Sequence, residues 1–216
     1  MTVVTRASLQ SPHFLARRVH SLLGLIPVGA FLLFHLWENS QSRFGAEHYN
    51  EYVVEKIRNI NYVLLLEIFV IALPILFHGI YGVVIWWKGR RNVTTYRYFR
   101  NWMWWLQRIS GLAVLAFLIL HVGGTRILAI WDEGVAEDMF GHMESLFANP
   151  WYLTAYLLGL VLSVFHLANG LWSMSIVWGL TTTVRAQKIM QGFSAAVFVV
   201  VVALGIHGVL GFFTAS

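Results

Sequence analysis

The sequence predicts an all-α protein, a transmembrane five-helix bundle with its N-terminus cytoplasmic and its C-terminus outside. Three observations predict it. Of 216 residues, 58% are hydrophobic and 12% charged, about half the charged share of a soluble domain. Five apolar stretches reach the roughly 20 residues that a helix needs to cross a bilayer. Basic and acidic side chains also alternate between successive connections, as the positive-inside rule requires of a multi-pass chain.

The first helix is expected near 20–38. It follows some twenty largely polar residues that include Arg17 and Arg18, so it reads as a retained anchor rather than a cleaved leader. The second is expected near 62–88 and stops at Lys88. Pro27 and Pro74 fall inside these two helices, where a membrane bundle absorbs the lost backbone bond. Pro74 stands four residues before His78, so its kink either aims that ring or is simply tolerated. The third helix, near 102–130, starts after the Lys88–Arg100 connection. The fourth, near 151–179, starts at Asn149-Pro150, a helix-opening pair. The fifth lies near 189–213. Trp86, Trp87, Trp102, Trp131 and Trp151 gather at span ends, as an aromatic belt does. The expected organisation is one membrane domain over 1–216.

Charge orients the chain. Eleven basic residues, among them Arg6, Arg17, Arg18, Lys88, Arg90, Arg91, Arg97, Arg100 and Arg108, fall on one side, and four (Arg43, Lys56, Arg58, Arg126) on the other. All ten acids lie in or beside the connections of that second side. The net charge of +5 thus marks membrane topology rather than a nucleic-acid surface, and the chain is expected in the cell inner (cytoplasmic) membrane. Zero cysteines exclude an iron–sulfur cluster held by this chain alone, a covalent c-type haem and a disulfide. No dinucleotide fingerprint or P-loop is present.

Four histidines, His35, His78, His121 and His166, sit one each in the first four apolar stretches. Helix direction converts position into depth. His78 is ten residues before Lys88, about 15 Å from that end, and His166 lies just past the middle of an inward-running helix. His35 and His121 both come late in outward-running helices. Two levels result, an outer His35–His121 pair and an inner His78–His166 pair. A single intramembrane histidine is commonly a packed residue or part of a proton path. Four of them sorted into two depths favour bis-imidazole ligation of two stacked haems b. A tetrahedral zinc site would want its ligands at one level. His207, on the fifth helix, is an alternative ligand at the outer level, with a structural or quinone-adjacent role the favoured reading. His48 and His142 belong to outer connections and are expected to be solvated. Haem propionates need donors, and at the inner face His20, Ser21, Trp104 and Arg108 are the candidates. Arg108 lies deeper than interfacial snorkelling prefers.

Several runs resemble the membrane anchor of succinate:quinone oxidoreductases, in the class with a single anchor polypeptide, five helices and two haems. They are RRVHSLLGLIPVGAFLLFHL at 17–36, LEIFVIALPILFHGIYGV at 66–83, YFRNWMWWLQRISG at 98–111 and FHLANGLWS at 165–173. The resemblance implies haem ligation by His35 and His121 outside and by His78 and His166 inside. It also implies a flavoprotein (FAD) partner and an iron–sulfur partner on the cytoplasmic face, and menaquinone as the substrate reduced near the outer haem. Some fumarate reductases of the class carry a glutamate two residues before the fourth-helix ligand. Val164 stands there, which favours succinate oxidation over fumarate reduction.

For the quinone, Glu67, Glu51, Asn39 and Arg126 are the expected binding or proton-handling residues. Glu67 is the sharpest of them because it lies within an apolar span. The competing expectations are a quinol-oxidising fumarate reductase anchor, the cytochrome b subunit of a membrane hydrogenase or formate dehydrogenase, and a transporter or channel using histidines without haem.

Overall fold

The computed structural model describes residues 12–89 and 92–214. Arg6, Arg90 and Arg91, counted above on the basic side, lie outside the described residues. Among the described residues all regular structure is helical. Five helices are long and apolar enough to cross a membrane: α1 (His13–Phe44), α2 (Val63–Lys88), α3 (Phe99–Trp131), α4 (Pro150–Val177) and α5 (Val184–Thr214). The middle three match the expected spans within a few residues. The other two run on past the apolar stretch. At the start of α1, Phe14, Leu15, Ala16, Arg17 and Arg18 continue the helix, because alanine, leucine and arginine are strong helix formers even where the lipid ends.

Each of the first three spans has an irregularity. In α1 the regular helix stops at Leu25 and resumes at Pro27. A proline has no N–H and its ring crowds the preceding turn. The ladder closes on either side, with Ile26 N–H donating to Leu22 O at 2.8 Å and Ala30 N–H to Ile26 O at 3.2 Å. In α2 a π-helical segment, Glu67–Ala72, leads into the helix Leu73–Lys88, with Pro74 in its first turn. In α3 a second such segment, Gly123–Ile127, follows His121 directly. Segments of this kind widen a helix and re-aim the side chains beyond them.

Consecutive helices are neighbours, and α5 packs against both α4 and α1, which closes the ring. The α1–α5 approach is close enough to exclude side chains. A Cβ on Gly208 would lie 3.0 Å from the Asn39 backbone, and the Ser42 hydroxyl donates to Gly208 O at 2.7 Å. In such a ring α1 stands diagonally across from α3, and α2 from α4.

One end of the bundle, called here the basic end, holds Arg17, Arg18, Lys88 and Arg100. The acidic end is capped by the short helices Glu133–Glu137 and Met139–Phe147. Asp132 and Asp138 start them by accepting the Val135 and Gly141 N–H groups, each cap contributing about 1 kcal/mol. Asn50 ties the cap to the first connection by donating to Asp138 at 2.7 Å. Beneath it lies an aromatic-rich core of Tyr49, Val53, Phe140, Met143, Phe147, Tyr156 and Phe212. A second core of Leu36, Leu160, Val164 and Val201 joins α1, α4 and α5 lower down. Val164 is fully buried there. Trp87, Trp131 and Trp151, each at least 80% exposed, stand at span ends.

Candidate functional site

The four histidines of α1–α4 meet as two diagonal pairs. The His35 and His121 rings are 5.6 Å apart between centroids and inclined at 70°. The His78 and His166 rings are 6.0 Å apart and inclined at 86°. Two imidazoles sharing one metal ion, at about 2.0 Å per bond, have centroids about 6 Å apart, so both spacings suit a pair of axial ligands.

At the basic end, hydrogen bonding selects the tautomer. His78 Nδ1 lies 2.8 Å from the carbonyl oxygen of His20, and His166 Nδ1 lies 3.0 Å from that of Gln107. A carbonyl only accepts, so both Nδ1 atoms carry the proton and both Nε2 atoms keep a free lone pair. That is the posture in which a histidine is oriented to bind a metal. Glycine leaves room for these rings. A Cβ on Gly24 would overlap the His78 ring, and one on Gly111 would come within 2.9 Å of His166 Cε1.

At the acidic end the rings have different neighbours. Asn39 Nδ2 donates to the His35 carbonyl at 2.7 Å and lies 3.3 Å from His35 Nε2. The Tyr49 hydroxyl donates in turn to Asn39 Oδ1 at 3.0 Å. His121 is stacked on Phe117 and set edge-on to Tyr156. Its Nδ1 is buried with no hydrogen-bond partner, as is the Tyr156 hydroxyl. Tyr49, outside the spans, has its pKa raised by burial and by the nearby Glu38 carboxylate, which keeps it a hydrogen-bond donor.

These residues fit a haem. Paired imidazoles from facing helices, with glycine against the basic-end rings and a buried ring nitrogen left without a protein partner at the acidic end, suit a flat group held between them. Among the described residues no three His, Cys, Asp or Glu side chains are arranged so that they could hold a metal ion together, as a tetrahedral site would need.

The remaining sequence candidates are distributed as follows. His20 stacks on His78 at 4.0 Å, nearly parallel. Arg108 lies 3.7 Å over the Trp104 ring and donates to the Ile85 carbonyl at 3.2 Å. Ser21 accepts from Trp178 Nε1 at 3.0 Å. These basic-end residues therefore form three separate groups. Glu67 and Arg126 form a two-pronged ion pair at 2.9 and 2.7 Å, joining the two π-helical segments of α2 and α3. Glu51 is exposed on the connection after α1 and is not brought to that pair. His207 points outward from α5 and joins neither histidine pair. His142 departs from the expectation of a solvated ring: its Nε2 lies 2.8 Å from the Gly124 carbonyl, one of the acceptors in the π-helical segment of α3. His48 stacks on Tyr52 at 5.0 Å and is only partly exposed.

Sequence reasoning passed over Gln107, Ser110, Asn169, Tyr49 and Tyr156. The first three carried a usable signal, being uncharged polar side chains well inside apolar spans, where each needs a partner. The tyrosines carried none, since tyrosine is ordinary near a membrane interface.

Residues 88–206 match the family described as the succinate dehydrogenase/fumarate reductase transmembrane subunit. Over 199 residues, 92% of this chain and 96% of the relative, the sequence is 39% identical to the succinate dehydrogenase cytochrome b558 subunit of Bacillus subtilis (strain 168). No solved structure matches.

Proposed function

The chain belongs to the succinate dehydrogenase/fumarate reductase transmembrane subunit family, and from that premise we propose that it is the di-haem b anchor of a succinate:menaquinone oxidoreductase. The observation that carries the reading is the pair of diagonal histidine couples, 5.6 and 6.0 Å between ring centroids. His78 and His166 would hold one haem through their free Nε2 atoms, and His35 and His121 the other. Bound there, haem supplies one-electron transfer between an iron–sulfur partner at the basic, cytoplasmic end and quinone at the acidic, outer end.

The protein's own residues orient, insulate and handle protons. His20 and Gln107 fix two rings through their carbonyls. The cap of Glu133–Glu137 and Met139–Phe147, with the aromatic core below it, keeps bulk water from the acidic-end rings. The Glu67 carboxylate, held by Arg126, is the proton-exchanging group nearest a quinone entering between α2 and α3, and its protonation on Oε1 or Oε2 would loosen the ion pair. Val164, packed in the α1–α4–α5 core, stands where some fumarate reductases of the class carry a glutamate, which favours succinate oxidation over fumarate reduction. The flavoprotein and iron–sulfur partners would dock on the basic end, where Lys88 and Arg100 lie. An electron crossing from that side to the positive outer side is assisted by about 2.3 kcal/mol per 100 mV of membrane potential. Replacement of His35, His78, His121, His166 and His207 in turn, followed by redox titration of the purified protein, tests the reading. Each of the first four should remove one b-type centre and His207 neither. A colourless polypeptide, or turnover in vesicles that ignores membrane potential, would overturn it.

A further inference from the structure

Around His166 the structure holds a polar cluster that ligation alone does not require. Gln107 of α3 grips His166 of α4 at two points. Its carbonyl accepts from the ring Nδ1–H at 3.0 Å, and its side-chain Nε2 donates to the His166 carbonyl at 2.9 Å. Asn169, one turn further along α4, donates from Nδ2 to Gln107 Oε1 at 2.7 Å and to the Met103 carbonyl at 3.0 Å. The Ser110 hydroxyl donates to the Gln107 carbonyl at 3.0 Å and lies 3.1 Å from His166 Nδ1. Asn169 and Ser110 are 7% and 2% exposed. Space for the cluster is set by glycine, since a Cβ on Gly170 would lie 3.2 Å from Gln107 Nε2.

We infer that Gln107, Asn169 and Ser110 form a buried clamp that positions His166 and thereby tunes the basic-end haem without affecting the other. The inference rests on the proposed ligand role of His166.

Polar side chains are costly in a membrane span unless satisfied, and here both Asn169 amide hydrogens and the Gln107 amide oxygen are used. A satisfied buried network admits one arrangement rather than several. What it fixes is the rotation of α3 against α4. That rotation decides whether the Gln107 carbonyl faces the ring, because a backbone acceptor moves only with its helix. The hydrogen bond from Nδ1–H to a carbonyl makes the opposite nitrogen a more basic ligand. The three side chains are therefore positioning residues: they touch His166 or its Gln107 partner, not the iron.

The test uses the purified, haem-loaded protein carrying Asn169→Leu, Gln107→Met or both. Redox titration of the alpha band and the low-spin paramagnetic resonance signals report the two centres separately. One of the two midpoint waves and its resonance signal should shift while the other stays in place. Transfer of that haem to apomyoglobin should quicken by about tenfold or more, and the double variant should match the worse single one, as members of one network do. Two unshifted waves, or two that shift together, would overturn the clamp. If the leucine variant fails to accumulate, Ser110→Ala gives the same comparison through the loss of one hydroxyl, and an unshifted signal there is equally fatal. Failure of the ligand reading looks different: His166→Leu would then retain both centres.

Discussion

The two histidine levels are built in opposite ways. At the basic end each ring donates its Nδ1–H to a backbone carbonyl of a neighbouring helix, His20 O for His78 and Gln107 O for His166. At the acidic end neither ring has such an acceptor. His35 is flanked by the Asn39 amide, itself held by Tyr49, and His121 Nδ1 has no partner. A carbonyl survives any substitution of its own side chain and moves only with its helix, so the basic-end rings are set by helix packing. The acidic-end rings are set by a few side chains and by the aromatic core under the cap. The difference teaches that one level takes its ring orientation from the backbone of neighbouring helices and the other from side chains.

The sharpest way to break this comparison is to crowd one level only. Gly24→Val places branched carbon where the His78 ring lies. Overpacking of this kind costs about 1–3 kcal/mol, and the variant should lose the basic-end centre while keeping the other, giving half the haem per chain by pyridine haemochrome assay. Equal loss at both levels would show that the levels are not independent.

The acidic end is probed by its two tyrosines. Tyr49→Phe removes the donor to Asn39 and should lower stability by about 0.5–1.5 kcal/mol in thermal unfolding followed by haem absorbance. Tyr156→Phe removes a buried hydroxyl with no protein partner and should be neutral or stabilising by this measure. A loss as large as that of Tyr49→Phe would mean that the hydroxyl is engaged by the bound group or by water.

Tyr49 also gives a pH dependence. Its folded pKa is raised, so the unfolded chain releases that proton first, above the ordinary tyrosine value of about 10. Stability is then full below that pH and falls as pH rises past it. Tyr49→Phe should remove this fall. A small effect also belongs to the Glu67–Arg126 pair, whose side chains are 28% and 49% exposed. A double-mutant cycle of Glu67→Gln and Arg126→Gln should give a coupling of about 1 kcal/mol or less, while quinone reduction, if the proposed proton role holds, falls more with Glu67→Gln than with Arg126→Gln.

Particular residues show where the sequence was legible. The spans were legible because each is a continuous apolar run bounded by charge, Lys88 closing α2 and Asn149-Pro150 opening α4. The four histidines stood out because an imidazole is foreign to such runs. The candidate donors were less legible. Ser21, Trp104 and Arg108 sit at the expected end, yet Arg108 turns onto Trp104 and the Ile85 carbonyl while Ser21 takes the indole of Trp178. His142 engages the Gly124 carbonyl because a π-helical segment forms there, and no residue pattern announces such a segment.

Composition and order by themselves determined the number of helices, their approximate ends and the separation of basic from acidic connections. Those properties follow from how each segment partitions between lipid and water, a local matter that needs no knowledge of neighbours. Only the tertiary structure decided how the paired rings are spaced and inclined, that His207 points outward, and that Gln107 and Asn169 close on His166. These depend on how far each helix is rotated about its axis, and rotation is fixed by packing between helices, down to the glycines that let α5 lie against α1.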